Sequence, residues 1–109
     1  MQIIWHGHSC FQIITSSAKD APVSLIIDPF SGSYGLRPPA VSGDAVLITH
    51  NHEDHNNWQA IKGSPILING PGEYEIKNVY IQGIPAFHDN NFGKERGQIT
   101  IYSITSEDI

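Results

Sequence analysis

The sequence predicts an α+β domain in which short strands dominate and one short helix follows a histidine-rich loop. Three observations lead there. Two apolar runs, residues 23–27 and 45–48, lack the alternation of a half-buried strand and read as strands covered on both faces. Ten glycines and seven prolines in 109 residues punctuate the chain too often for long helices. Residues 56–62 are the one plausible helix, with Asn56 or Asn57 as cap and Gly63 as stop.

The elements follow in order. Residues 1–5 read as a strand and 9–15 as its partner, turning near Gly7 and His8. Residues 16–22 form a polar loop with turn residues. The apolar strand 23–27 ends at Asp28-Pro29. Residues 31–44, rich in Gly, Pro and Ser, make a long loop of the kind that often carries function. The apolar strand around 46–48 leads into Thr49-His50-Asn51-His52-Glu53-Asp54-His55, the densest concentration of metal-binding side chains in the chain. Beyond the helix, strands are expected at 65–69, 73–76 and 79–84, with turns at Gly70-Pro71-Gly72 and Lys77-Asn78. Pro85 interrupts the third before Ala86-Phe87-His88. A polar loop, 90–98, precedes a last strand at 99–104 with Ile99, Ile101 and Tyr102 as apolar positions. Cys10 reads as a small buried hydrophobe, and Trp58, Tyr74 and Tyr80 as packing residues.

Size and charge narrow the function. A chain of 109 residues holds one domain at most, with a modest core. A net charge of −5 gives no basic footprint for nucleic-acid phosphates. No apolar run approaches the ~20 residues of a membrane span, and the N-terminus lacks the basic and apolar parts of a signal peptide. Cys10 is the only cysteine, which excludes an intramolecular disulfide and fits a reducing cytoplasm. The expected partner is a small-molecule substrate, with no nucleic acid and no membrane.

The histidine cluster points to metal chemistry. If the chain is still extended at Thr49–His52, a period of two puts His50 and His52 on one side, where they can chelate one ion. Asp54 and His55 arrive as the chain turns toward the helix, aimed at a neighbouring point. Paired metals in hydrolases lie roughly 3.5–4 Å apart, within reach of such a loop. A helix start also favours the charge of Asp54. Structural zinc sites are usually closed and cysteine-rich, and a fortuitous surface tract would not follow a buried strand with acids interleaved. Zinc suits imidazole ligands; mixed His/Asp sets also suit manganese or iron.

The run His50-x-His52-x-Asp54-His55 behind an apolar strand and Thr49 resembles the signature of metallo-β-lactamase-fold hydrolases. His6-Gly7-His8-Ser9-Cys10-Phe11, Ile27-Asp28-Pro29 and Gly70-Pro71-Gly72-Glu73-Tyr74 are similar to a branch of small bacterial zinc-dependent hydrolases related to L-ascorbate-6-phosphate lactonase. The resemblance implies that His50, His52 and His88 hold a first metal and Asp54 and His55 a second. It implies that Asp28 braces the metal loop by hydrogen bonds, that Asp54 holds the second metal or orients the water, and that His8 lies near the substrate. The implied activity is hydrolysis of a lactone, ester or phosphorylated metabolite through metal-bound hydroxide. A phosphodiesterase or nuclease of the same superfamily is the alternative. The family's αββα sandwich combines two similar halves, the second supplying a bridging aspartate and a final histidine. Neither follows His88, so residues 1–109 read as the N-terminal half of that sandwich. A non-catalytic half-domain that binds metal or a partner chain is therefore a third reading. It predicts an exposed apolar face, inviting a homo-oligomer or the missing C-terminal half.

Overall fold

The structure, a computed structural model, describes residues 1–16, 21–30, 41–50, 57–87, 97–107 and 109. Its strands are β1 (Gln2–Gly7), β2 (Cys10–Thr15), β3 (Val23–Ile27), β4 (Ala45–Ile48), β5 (Ile66–Asn69), β6 (Gly72–Ile76), β7 (Val79–Phe87) and β8 (Gln98–Thr105). β1 to β5 form one sheet in that order, and β6 to β8 a second. β1, β2 and β3 pair antiparallel, whereas β3, β4 and β5 run parallel.

The apolar runs behave as their lack of alternation requires. All four residues of β4 are buried, because neighbouring side chains serve opposite faces of the sheet. Ala45 and Leu47 join Val23, Leu25 and Ile68 against Ile76, Val79 and Ile81 of the second sheet. Val46 and Ile48 point the other way, where Cys10, Ile26, Phe30 and Ile61 complete a second cluster. The two sheets thus stack through one cluster, while the far face of the larger sheet is covered by Phe30, Ile61 and Val41.

Three sequence expectations are corrected. The helix over 56–62 is, among its described residues, one turn of 3-10 helix at Trp58–Ala60. Asn57, an expected cap, gives its side-chain amide to Phe30 O instead (3.0 Å), and Ile61 is extended so that its side chain enters the core. Of the αββα layers, the described residues hold the two sheets and almost no helix. Secondly, Pro85 does not end its strand; β7 continues to Phe87. β6 stops opposite Gly83, so at Pro85 the strand has β8 alone as neighbour, and an edge tolerates a missing N–H. Thirdly, β8 turns Thr100, Tyr102 and Ile104 toward the interior and leaves Ile101 51% exposed.

Apolar surface remains on β5 (Ile66, Leu67), on β7 and β8 (Ile84, Phe87, Ile101), and at the β1–β2 flank, away from β3 and β4. Ile3 and Trp5 of β1 are each 65% exposed, and Phe11 sits directly across from Trp5. Cross-strand partners share a face, and Ile13, opposite Ile3, packs on the inter-sheet cluster. The exposed side chains of this flank therefore belong to the inner face, at a place the three-stranded sheet does not reach.

Candidate metal centre

Parallel pairing brings the carboxyl ends of β3, β4 and β5 to one edge of the sheet, the usual location of ligand sites in parallel sheets. Asp28 follows β3, Thr49 and His50 follow β4, and Gly70 follows β5. β2 is antiparallel to β3, with Phe11 opposite Ile27, so the β1–β2 turn carrying His8 lies at the same edge.

Asp28 organises this edge. It is buried and has φ +49, although it precedes a proline, a setting that ordinarily favours extended backbone. Such outliers persist where surrounding bonds over-determine them. Here the Asp28 N–H donates to Leu47 O at 3.0 Å. Its Oδ1 accepts the Thr49 N–H at 2.8 Å, and its Oδ2 accepts the Thr49 hydroxyl at 2.6 Å. Thr49 Oγ1 also lies 2.9 Å from His50 Nδ1. On the far side of the histidine loop, the Asn57 N–H donates to Pro29 O at 2.8 Å and its side chain to Phe30 O. The loop is thus pinned at both ends to Asp28-Pro29-Phe30. Asp28 thus hydrogen-bonds the residue that precedes His50, and Asn57 adds an anchor that composition alone did not suggest.

β8 ties the same edge to the second sheet. Thr100 N–H donates to Thr49 O at 2.8 Å. Tyr102 Oη donates to Ile48 O at 2.8 Å and accepts the Gly70 N–H at 3.1 Å, joining the ends of β4 and β5. Burial pushes the Tyr102 phenol above its ordinary value, against the opposing pull of the Gly70 hydrogen bond. The signal for these two residues was their alternation with Ile99 and Ile101, once the polar set is assigned to the inner face.

Of the predicted site residues, His50, Asp28 and His8 are described. His52, Asp54, His55 and His88 lie outside the described residues. Accordingly, no three metal-binding side chains cluster among the described residues. His8 is exposed at φ +47, its ring edge-on to Phe30 with centroids 4.8 Å apart, and its carbonyl accepts the Trp5 indole N–H at 2.9 Å. A cavity of about 340 Å³ adjoins His50. Ile27, Ile99, Ile101 and Ile104 supply most of its wall, with Thr49, Thr100 and Tyr102, and no charged side chain lines it among the described residues. Cys10 is buried behind this edge; burial, and secondarily the Asp28 charge, push its thiol up to about 12.

The model of the beta-lactamase superfamily domain matches residues 2–109. The chain belongs to the metallo-β-lactamase superfamily. A metal-dependent hydrolase (UPF0173) of Bacillus licheniformis is 26% identical over 94% of this chain and 54% of its own length. Counterparts from Thermoplasma acidophilum and Bacillus subtilis are 31% and 32% identical, over 93% and 86% of this chain and 38% and 44% of theirs. A solved structure from Thermotoga maritima, a candidate Zn-dependent hydrolase of the metallo-β-lactamase superfamily, superposes with TM-score 0.72 and 29% identity, covering 98% of this chain and 45% of that one. The chain spans about half the length, or less, of these relatives. Among the described residues no helix is long and apolar enough to cross a membrane. The donor set of this superfamily member suits a transition metal: imidazoles and carboxylates, with its cysteine buried and protonated. His50 fits as well, since its Nδ1 already has a partner in Thr49.

Proposed function

We propose that the domain serves a zinc-dependent hydrolase of the branch similar to L-ascorbate-6-phosphate lactonase, opening a small lactone or ester. The observation that carries this reading is His50 at the end of a buried parallel strand, held through Thr49 by a buried carboxylate, beside a cavity that the described residues line without charge. His50, His52 and His88 would hold one zinc, Asp54 and His55 a second; manganese or iron fits the same donors. Bound zinc supplies Lewis acidity and brings the pKa of water toward ~7. Asp28 and Thr49 hold His50 in place, Asp54 holds the second metal or orients the attacking water, and the isoleucines offer the substrate an apolar wall. His8, in the β1–β2 turn at the same edge of the sheet, would lie near the substrate. A phosphorylated substrate would need a cation, for which Lys94 and Arg96 are available in the sequence beyond His88.

One observation favours a second reading. The chain spans 54% of the Bacillus licheniformis relative, and residues 1–109 offer two donors for the second metal, so this stretch by itself would bind zinc without turnover. Metal analysis and rate measurements separate the readings. Zinc bound to the purified chain, with zinc-dependent hydrolysis of an aryl ester or γ-lactone lost in His50→Ala/His52→Ala, is the expected result. Zinc binding without turnover favours the second reading, and faster cleavage of an aryl phosphodiester favours a phosphodiesterase. No bound transition metal, with behaviour unchanged in the double variant, overturns the metal assignment.

A further inference from the structure

The Thr49 hydroxyl has one proton and, among the described residues, two polar neighbours. An ionised carboxylate only accepts, so that proton goes to Asp28 Oδ2 at 2.6 Å. The 2.9 Å contact with His50 Nδ1 must then take its proton from the imidazole. We propose that Thr49 is a positioning residue that, oriented by Asp28, holds His50 in the tautomer protonated at Nδ1, so that the Nε2 lone pair is the one offered to a metal ion.

Two features make the relay directional. Asp28 is 4% exposed, so water competes poorly for its oxygens. Its Oδ1 accepts the Thr49 N–H, which fixes the rotation of the carboxylate and sets Oδ2 against the hydroxyl. An imidazole that donates its other N–H to a fixed acceptor is both oriented and made more basic toward metal. The metal part of the inference rests on the reading of His50 as a ligand; the relay itself does not.

The test reads the tautomer and the metal separately. Long-range proton–nitrogen NMR correlations on the ¹⁵N-labelled, metal-free 109-residue chain report which ring nitrogen of His50 carries the proton. Competition with a chromophoric chelator reports zinc affinity. In the wild type, Nδ1 should be protonated, and Thr49→Ser should preserve this. Thr49→Val keeps the side-chain shape and removes the relay, so the preference should vanish. Asp28→Asn should invert it. The amide oxygen must take the place of Oδ1 to accept the Thr49 N–H, which sets the NH₂ against Thr49 Oγ1 and turns the hydroxyl proton toward His50 Nδ1. The ring would then carry its proton on Nε2. Zinc affinity should fall roughly ten- to a hundredfold in Thr49→Val and Asp28→Asn and stay near wild type in Thr49→Ser. Retention of the Nδ1 proton in both Thr49→Val and Asp28→Asn, or its loss in Thr49→Ser, overturns the proposal. Should Thr49→Val fail to fold, Asp28→Asn decides alone. Tautomers that follow this pattern in a chain that takes up no zinc would support the relay and count against the metal assignment.

Discussion

At its amino end, β4 is held by Asp44, whose N–H donates to Ser24 O at 2.8 Å and whose Oδ2 accepts the Ser24 N–H at 2.8 Å. At its carboxyl end it is held by Thr49, whose N–H and hydroxyl go to Asp28 and whose carbonyl accepts from Thr100. Both ends saturate the backbone with a carboxylate from or toward β3. They differ in what stands behind it. Asp44 is paired with Lys77 at 2.7 Å, its side chain 27% exposed and that of Lys77 59% exposed. Asp28 is buried, and its second oxygen leads through a hydroxyl to an imidazole. Similar hydrogen-bond counts therefore do different work: the wet end terminates a strand, and the dry end also sets the state of a candidate metal ligand.

The strongest way to disturb both ends together is to weaken what lies between them. Leu47 is fully buried in the inter-sheet cluster and its carbonyl accepts the Asp28 N–H. Leu47→Ala should cost about 2–5 kcal/mol in urea unfolding and reduce metal uptake with it. Trp5→Ala, at the exposed flank, should stay within about 0.5 kcal/mol. An equal loss for Trp5→Ala would mean that the flank is covered in solution by a second copy, which sedimentation at several concentrations would reveal.

The carboxyl end can also be loosened alone. Tyr102→Phe keeps the ring and removes the oxygen that serves Ile48 O and Gly70 N. Leaving these groups unpaired should cost about 1–3 kcal/mol, with a larger effect on zinc affinity than any change at Asp44. If Tyr102→Phe leaves both stability and zinc affinity unchanged, β8 does not brace this edge.

The sequence and the structure agree most where burial alone decides. The run Val23–Ile27 emerges with its expected bounds because every residue in it prefers one side or other of a covered sheet. Agreement fails where a polar side chain has two possible uses. Asn57 could cap a helix or staple a loop, and only the nearness of Phe30 O selects the staple. Tyr102 could pack or bridge, and the ends of β4 and β5 decide that. The motif His50 to His55 advertised a metal site without revealing that Thr49 would stand between Asp28 and His50. That relation joins residues 21 positions apart and depends on parallel pairing.

Chemical reactivity offers a smaller test of the same contrast. Cys10 sits behind the dry end, with its thiol raised from 9.0 to about 12, first by burial and then by Asp28. It should resist alkylation at neutral pH in the folded chain and react after unfolding. A folded-state value above the unfolded one gives stability that is complete below about 9 and lost as pH rises toward about 12. Cys10→Ala should therefore flatten the alkaline limb of urea midpoints. Rapid alkylation of native protein would show that this edge is open to solvent.

The smallest effect belongs to the wet end. The hydrogen bond from Lys77 is the main cause that holds the Asp44 carboxyl below its ordinary value, burial opposing and the Ser24 N–H assisting. Below the ordinary carboxylate range the unfolded chain takes a proton that folded Asp44 refuses. The stability from this pair is thus present above that range and fades as pH falls through the lower folded value. Lys77→Met removes the main cause, so the variant should lose about 0.5 kcal/mol or less at neutral pH, the size expected of a solvent-exposed pair, and should show a shallower acid limb than the parent. Salt should shrink the difference, since the pair is exposed. Metal affinity should not move, because no bond of Asp44 reaches His50. A Lys77→Met variant with weakened zinc binding would mean that the two ends of β4 are coupled along the strand, and that the separation drawn between them is false.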